Sequence, residues 1–159
     1  MNNLNELNIN PTERMLFVGM GNRIKRDDGV GIYIAKQLKK QGIENVVIAE
    51  NSIENYIGKI NQNEPHSIIF IDAVDTGAQP GDVNILPIRD LTNTTTNTHN
   101  LSLNTISTFF DVEDQRVLAI QPGDVAFGTG LTYPVEMTAN RVTALLVKRL
   151  KANHQILKP

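Results

Sequence analysis

Short apolar runs of strand length alternate along this chain with stretches whose apolar residues recur at helical spacing. The run at 67–71 is unbroken, as in a parallel strand that is covered on both faces. At 29–41, Val30, Ile34 and Leu38 recur every fourth residue, and Gly42 supplies a helix stop. The pattern predicts strands at 15–18, 46–48, 67–71, 83–87 and 116–120, and helices at 29–41, 54–61, 101–110 and 134–150.

This alternation predicts an α/β three-layer sandwich, in which a mostly parallel, twisted sheet of about five strands carries helices on both faces. The run at 83–87 follows the third strand too closely for a crossover helix, so we expect it to pair antiparallel at an edge. We expect one domain at 14–152, a polar, flexible leader at 1–13 and a tail at 153–159.

Composition excludes several classes of function. The 159 residues carry a net charge of −2, which argues against nucleic acid as the main partner because binding phosphates needs a basic surface. No apolar run approaches the length of about 20 residues that a membrane span needs, and the first residues do not form a secretory signal. The absence of cysteine removes disulfides, thiolate metal sites and cysteine nucleophiles. We therefore expect a cytoplasmic protein without a membrane partner.

The most informative segment is 19–31, which leads from the first strand into the first helix. Gly19 and Gly21 let the backbone turn sharply and approach whatever binds there, and Asn22 follows them. Asp27 and Asp28 then stand where the helix should begin. One of these carboxylates can cap the helix, and the other is left for chemistry.

Polar residues can be sorted by the edge of the sheet that each should occupy, because ligands bind at the carboxyl ends of parallel strands. The acid pair follows the first strand, Asp72 and Asp75 follow the third, and His99 lies in the loop before the helix at 101. The other two histidines, His66 and His154, fall before the third strand and in the tail. Two or three carboxylates with one imidazole suit a divalent metal ion that accepts oxygen and nitrogen.

Each of these residues also has a simpler explanation. Asp28 is explained as a plain helix N-cap, Asp72 as the residue that starts a loop, and His99 as a solvated side chain. The basic residues Arg23 and Arg26, with Lys25 between them, fit either a solvated loop or a contact with an acidic or carboxylate-bearing partner.

Two other functions share parts of this pattern. A receiver-like phosphoacceptor domain also has an acid pair after strand one and an aspartate after strand three, but it needs a lysine after the last strand, where Gln121 stands. A nucleotide- or flavin-binding module would need a third glycine at the position of Ile24. The phosphate-loop, nucleophile-elbow and H-E-x-x-H motifs are absent from the sequence.

Taken together, the motifs resemble those of the [NiFe]-hydrogenase maturation endopeptidases. Any one of them is weak, but their order and spacing cover residues 15–150. The acid pair and the Thr-His-Asn loop are most similar to the branch that processes the large subunit of the formate-hydrogenlyase type, hydrogenase 3. The matching segments are Gly19-Met20-Gly21-Asn22, Asp27-Asp28-Gly29-Val30-Gly31, Ile71-Asp72-Ala73-Val74-Asp75, Gln79-Pro80-Gly81, Thr98-His99-Asn100-Leu101 and Ile120-Gln121-Pro122.

The resemblance implies an enzyme that removes a short C-terminal peptide from a hydrogenase large-subunit precursor after nickel has been inserted. The family's three metal-contacting positions, which we also expect to be catalytic, fall on Asp28, Asp72 and His99. Asp27 then caps the helix or supports the site, and Asp75 orients the metal-contacting residues without contacting the metal itself. We expect the glycine turn to contact the substrate and the enzyme to act as a monomer.

Ligand count suggests where the metal comes from. Three ligands without a thiolate fall short of the four that stable structural sites use. We therefore expect no tightly bound metal in the protein itself and a site that is completed by nickel carried in the substrate.

One segment departs from the family pattern. The family has an acidic turn and a Pro-Glu-Asn after the second strand, whereas this chain has Ile53 in place of the proline and Glu50 as the acid near the strand end.

Overall fold

The structure, a computed structural model, describes residues 4–10, 12–93 and 103–157. Its centre is a five-stranded sheet in the order β2-β1-β3-β5-β4, and only the edge strand β4 runs antiparallel to its neighbour. The predicted α/β architecture is therefore confirmed, including the antiparallel edge. The strands are β1 (Met15–Met20), β2 (Val46–Glu50), β3 (Ser67–Ala73), β4 (Val83–Pro87) and β5 (Asp114–Ile120). The helices are α1 (Val30–Lys40), α2 (Ile57–Gln62), α3 (103–106) and α4 (Tyr133–Leu157).

Helices cover both faces of the sheet because each strand alternates its side chains between two apolar cores. Phe17 and Ile69 point to the face covered by α1 and α4. On that face α4 contributes Val135, Ala139, Val142 and Leu146, which recur at helical spacing as one apolar stripe.

The second core lies on the opposite face. Phe70 packs there against Phe110, with ring centroids 5.8 Å apart, and Ile60 of α2 and Leu103 of α3 are buried in the same cluster. Ile53, which replaces the proline of the family pattern, is also buried in this cluster. An apolar side chain at that position therefore contributes to the core.

The structure departs from the predicted division at both ends of the chain. Leu4 and Leu7, in the predicted flexible leader, are buried in the first core. The guanidinium of Arg149 donates hydrogen bonds to the carbonyl of Leu4 at 3.1 Å and to the side-chain oxygen of Asn5 at 3.0 Å. At the other end, α4 continues into the predicted tail, because residues 135–158 contain no glycine or proline that would end the helix.

Neither α4 nor any shorter helix within residues 4–10, 12–93 and 103–157 combines the length and apolar character that a bilayer crossing requires.

Candidate functional site

A tight backbone turn follows β1 at the carboxyl edge of the sheet. Gly21 has a φ of +127° and donates its N–H to the carbonyl of Glu50 at 3.1 Å. The next N–H, of Asn22, donates to the carbonyl of Asp28 at 3.1 Å. A Cβ at position 21 would lie 1.8 Å from that same oxygen, so only glycine fits.

The first helix lies unusually close to the sheet, and this places the acid pair. A Cβ at Gly31 of α1 would come within 2.0 Å of the carbonyl oxygen of Ile71 and 2.5 Å of that of Met20. On the sheet side, a Cβ at Gly19 would lie 2.5 Å from the Cβ of Ala35. Backbone atoms of α1 therefore lie directly against backbone atoms of β1 and β3, which fixes the start of α1 relative to both strands.

Asp28 and Asp72 both border the glycine turn and are both buried. Asp72 is the penultimate residue of β3. It therefore projects from the strand itself, whereas the sequence pattern had placed it after the end of the strand. Burial, reinforced by the nearby charge of Asp28, raises the pKa of Asp72 well above its ordinary value. The hydrogen bond from the N–H of Ala73, at 2.9 Å, works in the opposite direction and does not cancel the shift.

Asp27 does not cap α1, contrary to one of the two predicted roles. The cap position is occupied by Gly29, and no side chain hydrogen-bonds to the helix end there. The carboxylate of Asp27 turns instead to the loop between β5 and α4. It accepts hydrogen bonds from the N–H groups of Gly123 (2.8 Å), Asp124 (3.0 Å) and Thr132 (2.7 Å), and from the hydroxyl of Thr132 (2.7 Å).

Asp28 is not an N-cap either, because neither the short 3-10 turn at Arg26–Gly29 nor α1 has a side-chain cap. The simpler explanation offered for this residue is therefore wrong.

Asp75 lies on the surface and works through Gln121. Its carboxylate accepts hydrogen bonds from the side-chain amide of Gln121 and the N–H of Gly77, both at 3.0 Å. These two bonds, that of Gln121 foremost, lower the pKa of Asp75. The other end of Gln121 accepts from the N–H groups of Thr76 and Ala78, at 2.8 and 3.2 Å. Gln121 therefore ties the segment after β3 to the end of β5.

His99 lies outside the described residues, together with Thr98, Asn100 and Leu101 of its motif. Within the part of the chain that the structure describes, no three His, Cys, Asp or Glu side chains are arranged to hold a metal ion. The described part of the site is thus the pair of Asp28 and Asp72 with the glycine turn beside it.

The pair is chemically suited to a cation. Two buried carboxylates of like charge are unfavourable close together unless one binds a proton or both share a positive ion. Carboxylate oxygens are also ligands that divalent metals accept. Both carboxylates of the described site are therefore donors that a divalent metal ion accepts.

A small ladder, which the sequence pattern did not predict, forms the rim of the site. Lys25 pairs with Gly128, whose N–H donates to the carbonyl of Ile24 at 2.9 Å. The ammonium of Lys25 lies 5.7 Å from the ring centre of Phe127, which is largely exposed. Sequence periodicity carries no signal for a bridge between two loops about a hundred residues apart.

The second strand ends beside the same turn. The side chain of Glu50 forms an ion pair with Arg23, and its backbone has a φ of +55°. Glu50 thus contacts Arg23 through its side chain and the glycine turn through its carbonyl.

Comparisons with known proteins show the family and the fold. Residues 30–149 match the sequence model of the family HycI, described as hydrogenase maturation protease. The hydrogenase 3 maturation protease of Escherichia coli is 30% identical over 122 residues, which cover 74% of this chain and 78% of that protein.

Solved structures show the same similarity. The solution structure of the endopeptidase HycI from Escherichia coli has a TM-score of 0.75 at 26% identity and covers 85% of this chain and 90% of that one. The fold is also that of a [NiFe] hydrogenase maturation protease HycI from Thermococcus kodakarensis, with a TM-score of 0.74 at 24% identity, covering 87% of this chain and 93% of that one. The receiver-like alternative finds no support in these similarities.

Proposed function

Since this chain belongs to the hydrogenase maturation protease family and is therefore a peptide hydrolase, we propose that it removes the C-terminal extension of a nickel-loaded [NiFe]-hydrogenase large-subunit precursor. The observation that carries the proposal is the buried pair of Asp28 and Asp72 at the carboxyl edge of the sheet. Such a pair favours the binding of a positive ion, and a loaded precursor brings one.

We assign the third ligand to His99, as the family resemblance implies. The burial of a residue close to His99 in the sequence supports this assignment. Asp72 shares its face of β3 with Phe70, and Leu103, four residues after His99, is buried in the core on that face. Leu103 therefore lies in the layer toward which Asp72 points, four positions after His99 in the sequence.

In this proposal nickel is part of the substrate. When it is bound, nickel would polarise the scissile carbonyl or make a water molecule more acidic. The chain itself contributes acidic oxygen ligands and, in Asp28 or Asp72, a carboxylate that can take up a proton. Asp27 holds the loop at 123–132 in place beside them, and Asp75 positions Gln121.

The same arrangement explains why an empty precursor would be a poor substrate. Without the metal, docking would enclose two buried carboxylates of like charge with no cation added between them, which opposes binding. Selectivity for the loaded precursor thus follows from the difference in binding free energy between docking with the metal ion and docking without it. Gly19 and Gly21 carry no side chain, and with Asn22 they form a tight turn that would let the precursor approach the site closely.

The test is cleavage of a purified large-subunit precursor, prepared with and without nickel and followed by mass spectrometry. We expect loss of the C-terminal extension only from the loaded form, and a reduction of at least about a hundredfold in Asp28→Asn, Asp72→Asn and His99→Ala. Asp114→Asn and His66→Ala, at the opposite edge of the sheet, are matched controls and should cleave at the normal rate. Equal rates on loaded and empty precursor would overturn the nickel-dependent part.

The proposal further places the reaction in the cytoplasm and assigns it to a monomer. Fractionation of cells that express the full chain tests the first statement. Light scattering on the purified chain tests the second, and a mass of twice 17.6 kDa would contradict it.

A further inference from the structure

We propose that a cavity at the start of α1 binds a carboxylate-bearing, apolar segment of the precursor peptide, an inference that rests on the proposed function. The cavity has a volume of about 300 Å³ and lies between the first turns of α1 and the segment at 130–136. Gly29, which directly follows Asp28, forms part of its wall. The cavity therefore reaches the chain neighbour of Asp28, while neither Asp28 nor Asp72 lines it.

Charge determines which ligand suits this cavity. Its lining holds three cationic side chains, Arg23, Arg26 and Lys36, and one acidic side chain, Glu136. Arg23 is paired with Glu50, and the Nε of Arg26 lies 3.8 Å from a carboxylate oxygen of Asp124. Both arginines remain about half exposed. Because Glu50 and Asp124 balance the two arginines, Lys36 is the cation of the lining that an anion would pair with.

Lys36 is the cation that remains available for a ligand. It is exposed on α1, and among the residues that the structure describes it forms no ion pair. Its position three and four residues after Tyr33 and Ile32 places all three on the same side of the helix. One charge and two apolar side chains therefore face the cavity together.

The remaining wall is apolar and held in place. Ile32 is almost fully buried, and Leu131 is half-buried on the opposite side. The hydroxyl of Tyr33 donates a hydrogen bond to the side-chain oxygen of Asn140 at 2.7 Å, which fixes the ring between α1 and α4. A small cavity with apolar walls and a few charged groups is the usual form of a specific ligand site.

The ligand chemistry is that of a carboxylate next to an apolar side chain. In a precursor that group has two sources, the free C-terminus of the extension and an acidic side chain near the cleavage point. Both would pair with Lys36, and the probes below distinguish them.

The experiment is an NMR titration of the ¹⁵N-labelled chain with acetyl-Leu-Phe as the free acid, with acetyl-Leu-Phe amide and with acetyl-Asp-Leu amide. We expect the free acid to shift the signals of Gly29, Ile32, Gly130 and Leu131, and the Leu-Phe amide to bind at least about fivefold more weakly. If acetyl-Asp-Leu amide binds as well as the free acid, the cavity accepts side-chain carboxylates too. Equal binding of acetyl-Leu-Phe acid and amide, or shifts located elsewhere, would overturn the proposal.

Variants of Lys36 sharpen the test. Lys36→Ala should weaken free-acid binding about threefold and Lys36→Glu should abolish it, while Lys39→Ala on the same helix should leave it unchanged. Unchanged affinity in Lys36→Glu would contradict the assignment.

Cleavage of the loaded precursor separates this inference from the proposed function. Lys36→Glu should raise KM and leave kcat unaltered, because the cavity binds peptide at a distance from the reacting bond. If the unmodified chain cleaves and Lys36→Glu has an unchanged KM, the cavity proposal fails and the function stands. If the unmodified chain does not cleave while the free acid still binds in the cavity, the proposed function fails and the carboxylate site stands.

Discussion

The carboxylate of Asp27 accepts two hydrogen bonds from Thr132, which lies 105 residues farther along the chain. The N–H and the hydroxyl of Thr132 each donate at 2.7 Å, to different oxygens of the carboxylate. Asp27 is fully buried, and the next residue is Asp28. Asp27 therefore connects the loop before α4 to Asp28, so a change in the loop should alter the position of Asp28.

Asp27→Asn should destabilise the fold by about 2–3 kcal/mol, because an amide offers one acceptor oxygen where four donors converge. Urea denaturation measures the loss. Thr132→Val removes only the hydroxyl donor and should cost about 1 kcal/mol. A loss in Asp27→Asn no larger than that in Thr132→Val would show that the backbone donors contribute little.

Asp72→Asn should stabilise the isolated protein at neutral pH, by about 1 kcal/mol, while abolishing cleavage. The pKa of Asp72 is raised in the fold, so the folded state binds its proton more tightly than the unfolded state does. The free energy of unfolding should therefore fall as pH rises from the ordinary aspartate pKa through the raised value. Thermal melts across pH should show this decline in the unmodified chain and a flatter profile in Asp72→Asn; parallel profiles would contradict the explanation.

Gly31→Ala should destabilise the protein by about 3 kcal/mol, because the new methyl group would meet two carbonyl oxygens of the sheet. Gly58→Ala is the matched control. It also adds a methyl group to a helical glycine, but no atom lies within 4 Å of the new carbon, so it should stabilise by up to about 1 kcal/mol. Chemical denaturation of both variants gives the comparison, and effects of the same sign would refute the close-approach argument.

Gln121→Leu should raise the pKa of Asp75 toward its ordinary value, since the Gln121 amide is the main cause of the lowering. A lowered pKa stabilises the fold above the ordinary aspartate pKa, and this contribution is lost as pH falls through the lowered value. The effect on stability should be small because Asp75 is exposed. Carboxyl ¹³C NMR titration measures the shift, and Thr76→Val, which keeps the Gln121–Asp75 bond, should leave it unchanged.

Much of this molecule could be predicted from local patterns. The five strands, the antiparallel edge and the covering helices follow from periodicity and from the short link before β4. The proximity of Asp28 and Asp72 follows from a topological rule, since carboxyl ends of parallel strands share an edge.

Long-range polar contacts could not be predicted in this way. The bonds from Thr132 to Asp27 join two loops, and hydrogen bonding between loops leaves no periodic trace in the sequence. The burial of Leu4 and Leu7 was missed for a related reason. Two apolar residues in a polar segment are too few to define a helix face, and only the finished core shows where they pack.

The contact of Gly31 with the carbonyl oxygens of β1 and β3 has a consequence for protein engineering. Because only backbone atoms separate the helix from the strands there, repacking side chains cannot shift Asp28 relative to Asp72 by small steps. Attempts to change specificity should substitute exposed side chains at 23–26 and 124–131, and should keep the glycines and the hydrogen bonds that join Asp27 to Thr132.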